Sequence, residues 1–307
     1  MRFWCSQLYE PWSWVPKPYL GVWLIMAGVA VWRWRAIRAR TRATGSSGVT
    51  TRQSAWFWLG LLAFWAASDW PVGTLGAGYL AWVHMLQYMI YTLIAAPLIL
   101  ISIPEWRFRQ MLAGARLYRF FSNLSKPLVA AVVANFILIT THAPWTVDTF
   151  RVTQVGSFAL DMIWFAGGVA LWLPVASPLP EHRIKFPPLQ AVYLFCAAGL
   201  APLVPGGFLT FAGAPLYETY EIAPRVGLDT LEDQQLAGAI MKVGGFPIVW
   251  SVIMVIWVRW ATRERNNDTP IRRSRPAAVS DPTDAGTAPD TAPPDAVRPT
   301  DAGPADP

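Results

Sequence analysis

The sequence predicts an all-α, polytopic integral membrane protein: a seven-transmembrane-helix bundle with its N-terminus outside and its C-terminus cytoplasmic. Three observations predict it. Hydrophobic residues make up 54% of the 307 and charged residues only 14%, with 18 Trp, too little polar surface to solvate a soluble globule. Seven apolar runs each approach the roughly 20 residues that a helix needs to cross the hydrocarbon core. The basic residues are rich and poor by turns in the segments between those runs, as in loops on opposite sides of a bilayer.

The first run, 18–34, follows Trp, Pro and Tyr residues. No charged region leads directly into an apolar core with a small-residue cleavage site, so a retained span is expected, with residues 1–17 as an extracytoplasmic segment. The second run, 54–70, is the shortest, but Trp56, Phe57, Trp58, Phe64 and Trp65 make it strongly apolar. Runs at 79–104, 127–144, 156–177, 189–211 and 236–260 complete a transmembrane domain expected over 18–262. Beyond it, Pro, Ala, Asp, Thr and Gly with almost no bulky apolar residue cannot offset chain entropy, so 263–307 is expected to be a disordered cytoplasmic tail. No internal repeat suggests a transporter built from inverted halves.

The net charge of +6 is an average over unlike parts. Residues 1–265 carry 21 basic and 12 acidic groups, whereas the tail is acidic. The segments 33–53, 105–126, 177–188 and 258–265 hold 16 Lys or Arg; the alternate segments hold only Arg2, Lys17, Arg151 and Arg225. That asymmetry orients the chain by the positive-inside rule. It also removes nucleic acid as a partner, because the Arg residues lie between apolar runs instead of on a soluble basic face. The two cysteines, Cys5 and Cys196, form no CxxC or Cys/His finger, so neither a thiolate metal site nor a redox dithiol is supported. Cys196 is expected to be a small apolar filler in a helix.

Ionisable or ligating groups inside a span are costly and mark candidate sites. With about 1.5 Å of rise per residue, His84, His142, Asp161, Asp233, Gln234, Gln235 and Lys242 all fall toward the outer leaflet, on four helices. His182, beside Glu181 and Arg183 in a cytoplasmic loop, is expected to be solvated. Each of the others has a structural reading. His84 could bond a carbonyl or a neighbouring helix, and His142 could sit in the headgroup zone. Asp161 and Lys242 are expected to pair, since an unpaired charge at that depth is expensive. Asp233 is expected to act in part as a helix N-cap. The functional reading is a metal site: imidazole suits copper and thioethers suit Cu(I). His84, Met85, Tyr88 and Met89 share adjacent helical faces, and Met162 could join them as a fifth candidate, although a membrane Met is far more often packing.

These segments also carry a family resemblance. His84-Met85-Leu86-Gln87-Tyr88-Met89 with Ala96-Pro97-Leu98, then His142-Ala143-Pro144, then Pro215-Leu216-Tyr217, and finally Asp233-Gln234-Gln235-Leu236-Ala237-Gly238-Ala239-Ile240-Met241 resemble, in order, motifs of the CtaG family. Those are multi-span assembly factors of caa(3)-type cytochrome c oxidase. The likeness extends over roughly 55–260, and the stretch from Asp233 to Met241 is its most specific part. It implies a non-enzymatic factor of the bacterial plasma (inner) membrane, with cytochrome c oxidase subunits and the lipid bilayer as partners. It also implies help with copper delivery or maturation on the extracytoplasmic side, through an outer-leaflet polar cavity. His84 and His142 would be the candidate copper ligands, with Met85, Met89 and Met162; Asp161, Asp233, Gln234 and Lys242 would shape the cavity or contact the client. The chain departs from the family pattern at Tyr88, at Phe158 and Met162, and at Lys242, where the family typically has His, a His pair and Trp.

The competing class is a multi-span transporter or a small-molecule sensor. A transporter would need polar groups continuing toward the cytoplasmic side, and the sequence shows none. A retinal-type protein would need a carboxylate on the third helix to balance the lysine of the last, and that helix has neither Asp nor Glu. No Ser/His/Asp or HExxH arrangement supports a hydrolase.

Overall fold

The computed structural model describes residues 2–273, and all regular structure among them is helical. The chain divides into two compact units, Met1–Thr262 and Arg263–Pro307. The described part of the second, 263–273, is helical where a disordered tail was expected, in keeping with the helix-forming Arg263, Glu264 and Arg265; the rest of the expected tail lies outside the described residues.

In the first unit α1 (Leu20–Thr44) ends on Gly45, whose φ of 75° is the left-handed closure glycine permits. α2 (Thr51–Ser68) starts from a capping box, in which the Thr50 hydroxyl accepts from Gln53 N while the Gln53 side chain accepts from Thr50 N. The short α3 (Val72–Gly78) leads into α4 (Ala81–Met89), which continues through a π-helical turn, Ile90–Ala95, into α5 (Ala96–Ser102). The connecting helices α6 (Glu105–Met111) and α7 (Ala115–Leu124) precede α8 (Pro127–Thr141), and α9 (Pro144–Phe150) precedes the long α10 (Gln154–Ala176). α11 (Pro187–Leu194) passes through a second π turn, Phe195–Leu200, to α12 (Leu203–Phe211). The one-turn α13 (Glu218–Glu221), then α14 (Thr230–Val243) and α15 (Phe246–Arg273), follow.

Five helical stretches are long and apolar enough to cross a membrane: Leu20–Thr44, Ala81–Ser102, Gln154–Ala176, Pro187–Phe211 and Thr230–Asn267. A sixth arises if α7 and α8, bent by 83° at their junction, count as one broken span. The expected second span does form a helix, but Thr51, Arg52, Gln53 and Ser54 in its first turn dilute its apolar character. The chain is thus an all-α, multi-pass membrane protein. An apolar outer surface agrees, for Leu128, Val132, Phe136 and Ile139 make an exposed stripe along α8 that only lipid would solvate well.

Inside the bundle, small residues let helices meet closely, as membrane packing requires where no aqueous hydrophobic drive exists. A Cβ added at Gly238 of α14 would lie 2.5 Å from Thr210 Oγ1 and 2.7 Å from the carbonyl oxygen of Gly206, both on α12. One added at Gly168 of α10 would lie 2.7 Å from Cα of Thr92 in the first π turn. These contacts fix α14 against α12 and α10 against the π turn.

Candidate functional site

The two intramembrane histidines come together. His84 lies one turn into α4 and His142 closes α8, and their ring centroids are 5.6 Å apart with planes at 87°. Both are buried. The start of α4 is set from a distance: the Asp233 carboxylate on α14 accepts from the backbone N–H groups of Ala81 (2.7 Å) and Trp82 (3.0 Å). Those are two of the amides a helix start leaves without an internal partner. Asp233 therefore caps α4, whereas its own helix is capped by Asp229 in a capping box with Glu232. The expected N-cap role is real but directed at another helix, because Asp233 is already inside α14 and faces its neighbour.

The adjacent glutamines hold the loop ahead of α14. Gln234 Oε1 accepts from Leu216 N (2.6 Å) and Gln234 Nε2 donates to the Ala214 carbonyl (3.3 Å). Gln235 Nε2 donates to the Ala212 carbonyl (3.3 Å). That loop presents two tyrosines to the histidines. Tyr217 donates to the His142 carbonyl (2.8 Å), and Tyr220 Oη lies 2.7 Å from His84 Nδ1 and 2.6 Å from the Gly76 carbonyl oxygen. The segments Pro215–Tyr217 and Asp233–Gln235, distant in sequence, thus form one support for the histidine pair.

These partners fix the tautomers. Tyr220 has one hydroxyl hydrogen, and the Gly76 carbonyl can only accept it. His84 Nδ1 must then carry its own hydrogen and donate to the tyrosine oxygen, which leaves Nε2 with a bare lone pair. His142 Nδ1 faces the Leu138 carbonyl at 2.8 Å and must donate as well, so its Nε2 is bare too. Neither Nε2 has a hydrogen-bond partner, and both are buried. An imidazole held through Nδ1 with Nε2 free is the arrangement of a metal-ligating histidine supported from behind. Trp164 and Tyr88 wall the pair. Trp164 stacks on His142 at 5.4 Å and stands edge-on to His84 at 4.7 Å, and Tyr88 is 4.7 Å from His142. Trp164 Nε1 is bonded to Thr141 Oγ1 at 2.9 Å.

Behind Trp164 lies a charge pair that the sequence reading assigned differently. Asp161 does not pair with Lys242. Its Oδ1 lies 3.0 Å from Arg151 Nη2, both side chains being fully buried. That contact is electrostatic without hydrogen-bond alignment. Asp161 Oδ2 accepts from Trp4 Nε1 at 2.8 Å, and Arg151 Nη1 donates to Ser157 Oγ at 2.6 Å. Arg151, ten residues before Asp161, is carried to it by the turn between α9 and α10. Lys242 of α14 instead lays its stem along Gly206 and its Nζ 4.7 Å over the Phe211 ring. The Arg151 guanidinium in turn lies 4.9 Å over Trp164, which joins the ion pair to the histidines.

The N-terminal segment is also part of this site. Trp4 and Cys5 are fully buried, Phe3 N donates to Gln154 Oε1 (2.7 Å), and Gln7 N donates to the Arg151 carbonyl (2.8 Å). Residues expected as a separate outer segment seal the bundle over the ion pair. Composition alone could not have indicated that; the three Trp among the first fourteen residues were the available signal.

The methionines separate. Met85 is buried beside Leu138, Tyr217 and Tyr220, close to the pair. Met89 packs against Gly244, its Cε 3.0 Å from where a Cβ would stand, and Met162 packs on the cluster around Trp4 and Trp164. Among the described residues, no group of three or more His, Cys, Asp or Glu could hold a metal ion. Two further expectations change. Cys196 is exposed on the outside of the second π turn instead of filling the interior. His182 is buried in its loop, its ring 5.5 Å from that of Tyr118, and burial lowers its pKa from the ordinary histidine value. Its neighbour Glu181 is held below the usual carboxylate range by hydrogen bonding to Arg109.

A multi-pass helical protein with a buried, pre-oriented imidazole pair is thus defined by the geometry. The family model for the cytochrome c oxidase caa3 assembly factor (Caa3_CtaG) matches residues 26–263. The chain belongs to that family and is accordingly an assembly factor, not an enzyme. No match was found among curated proteins or among solved structures.

Proposed function

We propose that this protein assists maturation of a haem–copper oxidase by holding Cu(I) as cargo between His84 and His142. One observation carries the reading: both Nδ1 atoms are committed to fixed partners while both Nε2 lone pairs are buried and unused. Cu(I) accepts two neutral nitrogen donors, and the thioether of Met85, buried beside Leu138, Tyr217 and Tyr220, is the candidate soft ligand. Asp233 at the start of α4, Gln234 on the tyrosine loop and Asp161 with Arg151 behind Trp164 brace the pair. The Arg151–Asp161 pair is neutral as a unit, so it does not repel a monovalent cation as an isolated Arg would. The Lys242 Nζ is engaged over the Phe211 ring.

We further infer seven crossings, with α2 and the bent α7–α8 pair completing the five long stretches, in the plasma membrane of a bacterium. The crowding of bases in alternate segments supports an outer N-terminus and a cytoplasmic C-terminus. The buried histidine pair then lies toward the outer leaflet, and oxidase subunits are the clients.

Purified protein loaded with Cu(I) and desalted should retain about one metal per chain, and His84→Ala/His142→Ala should retain almost none. The readout is metal content by mass spectrometry beside a thermal-denaturation check of the variant. Wild-type protein that keeps no copper would remove the cargo mechanism. Oxidase activity in a deletion strain, with copper supplementation as control, tests the assembly role separately.

A further inference from the structure

At the end of the bundle where the bases gather, a narrow cleft separates α1 from α5 and α6. None of the residues described around the histidine pair lines this cleft. Its floor is apolar, formed by residues such as Val29, Ile37 and Ile99, and Arg33 and Arg107 line its rim. The guanidinium of Arg33 lies 4.4 Å over the Phe57 ring, that of Arg107 4.4 Å over Trp32, and that of Arg40 4.5 Å over Trp106.

The charge of this rim is not answered by the protein. Among the described residues, Arg33, Arg40 and Arg107 make no ion pair; the nearby Glu105 and Glu181 are both taken by Arg109. Their hydrogen bonds go to neutral acceptors: Arg33 Nη1 donates to the Ser102 carbonyl (3.2 Å), and Arg107 Nη1 to Gln110 Oε1 (3.3 Å). Such partners orient a guanidinium without cancelling its charge. The Nε atoms of Arg40 and Arg107 are buried with no partner at all.

A gap between helices inside a bilayer is filled by lipid, and guanidiniums at its mouth select for phosphate, which they can bind in bidentate fashion. A soluble phosphate compound would leave the apolar floor uncovered. We propose that the cleft between α1 and α5–α6 is a binding site for one anionic phospholipid, its phosphate between Arg33 and Arg107 and an acyl chain along the floor. Basic pockets between transmembrane helices on the cytoplasmic side bind anionic headgroups by this chemistry. The lipid would also supply packing for α1, which shows few buried residues of its own.

The test uses the full chain, purified in mild detergent after exchange into bilayers of phosphatidylcholine with a minor share of phosphatidylglycerol, and counts retained lipids by native mass spectrometry. Wild type should keep one phosphatidylglycerol in preference to phosphatidylcholine. Arg33→Gln/Arg107→Gln should lower that retention roughly ten-fold. Arg33→Lys/Arg107→Lys, which keeps the charge, should retain more than the Gln pair. Arg35→Gln/Arg38→Gln, on the exposed side of α1, should behave as wild type. Equal retention of both lipids by wild type would reduce the cleft to an unselective gap, and an equal loss in the Arg35/Arg38 variant would reduce it to diffuse surface charge. Either result overturns the proposal, as does displacement of the lipid by millimolar inorganic phosphate alone.

Discussion

Replacing Arg151 by Met is expected to destabilise the protein by about 3–5 kcal/mol, the usual cost of leaving one member of a buried ion pair without its partner. Asp161 would then face an apolar interior with only Trp4 and Tyr91 as hydrogen-bond donors, at 2.8 and 3.5 Å. Removing both charges, in Arg151→Met/Asp161→Leu, should recover much of the loss, since well-packed apolar replacements of a buried pair are often close to neutral. Trp4→Phe should cost less than either single charge removal, because it deletes one hydrogen bond to a charged group, worth about 1.5–3 kcal/mol. The measurement is the denaturation midpoint of each purified variant in detergent. If Arg151→Met proved as stable as wild type, the pair would be no part of what holds the N-terminal segment in place. Because Arg151 also covers Trp164, the same variant should loosen the histidine pair and weaken metal retention, while the double variant separates that effect from charge.

Gly238→Leu should be nearly as damaging, by a steric route. The obstacles around a Cβ at this position include backbone atoms of α12, with Thr210 N at 2.6 Å and the Gly206 oxygen at 2.7 Å, so no side-chain rotation relieves the clash. Overpacking usually costs about 1–3 kcal/mol, and an obstacle made of backbone puts this site at the upper end. α14 also carries Asp233, Gln234 and Gln235, so pushing it away from α12 should release both the cap on α4 and the loop that positions Tyr217 and Tyr220. Gly238→Ala should show the same direction with smaller size. Limited proteolysis within 212–229 is the readout: faster cleavage is expected, and an unchanged rate would show that the loop is held without α14.

The helical, membrane-spanning character was legible because a bilayer imposes it: long apolar runs and sided bases have few other uses. The convergence of His84 and His142 was legible for a related reason, since polar groups at membrane depth are rare enough to attract notice singly. The ion pair was not. Arg151 lies between spans, where a base excites no suspicion, and pairing Asp161 with Lys242 used depth alone, which does not say which residues meet. The destination of Asp233 was hidden similarly. Its chemistry as a cap was evident, but the choice between its own helix and α4 is a matter of tertiary contact. The most specific stretch of the family resemblance, from Asp233 to Met241, gained a physical meaning only when its polar residues and Gly238 were found to join α4, α12 and the tyrosine loop.

The π turn inside Ala81–Ser102 has a consequence for how this chain can change. An α turn closes with a bond four residues back; here Ala96 N reaches the Tyr91 carbonyl, five back, so the turn holds a surplus residue. One residue corresponds to about 100° of helix rotation. That phase offset divides the span: α4 packs on α14, whereas α5 packs on α2 and α10. The interval from His84 to Pro97 is therefore constrained as a length as well as a composition. Many exchanges within it are tolerable, but the loss of one residue would turn half of the span away from its neighbours, carrying either the histidine or the packed end out of register.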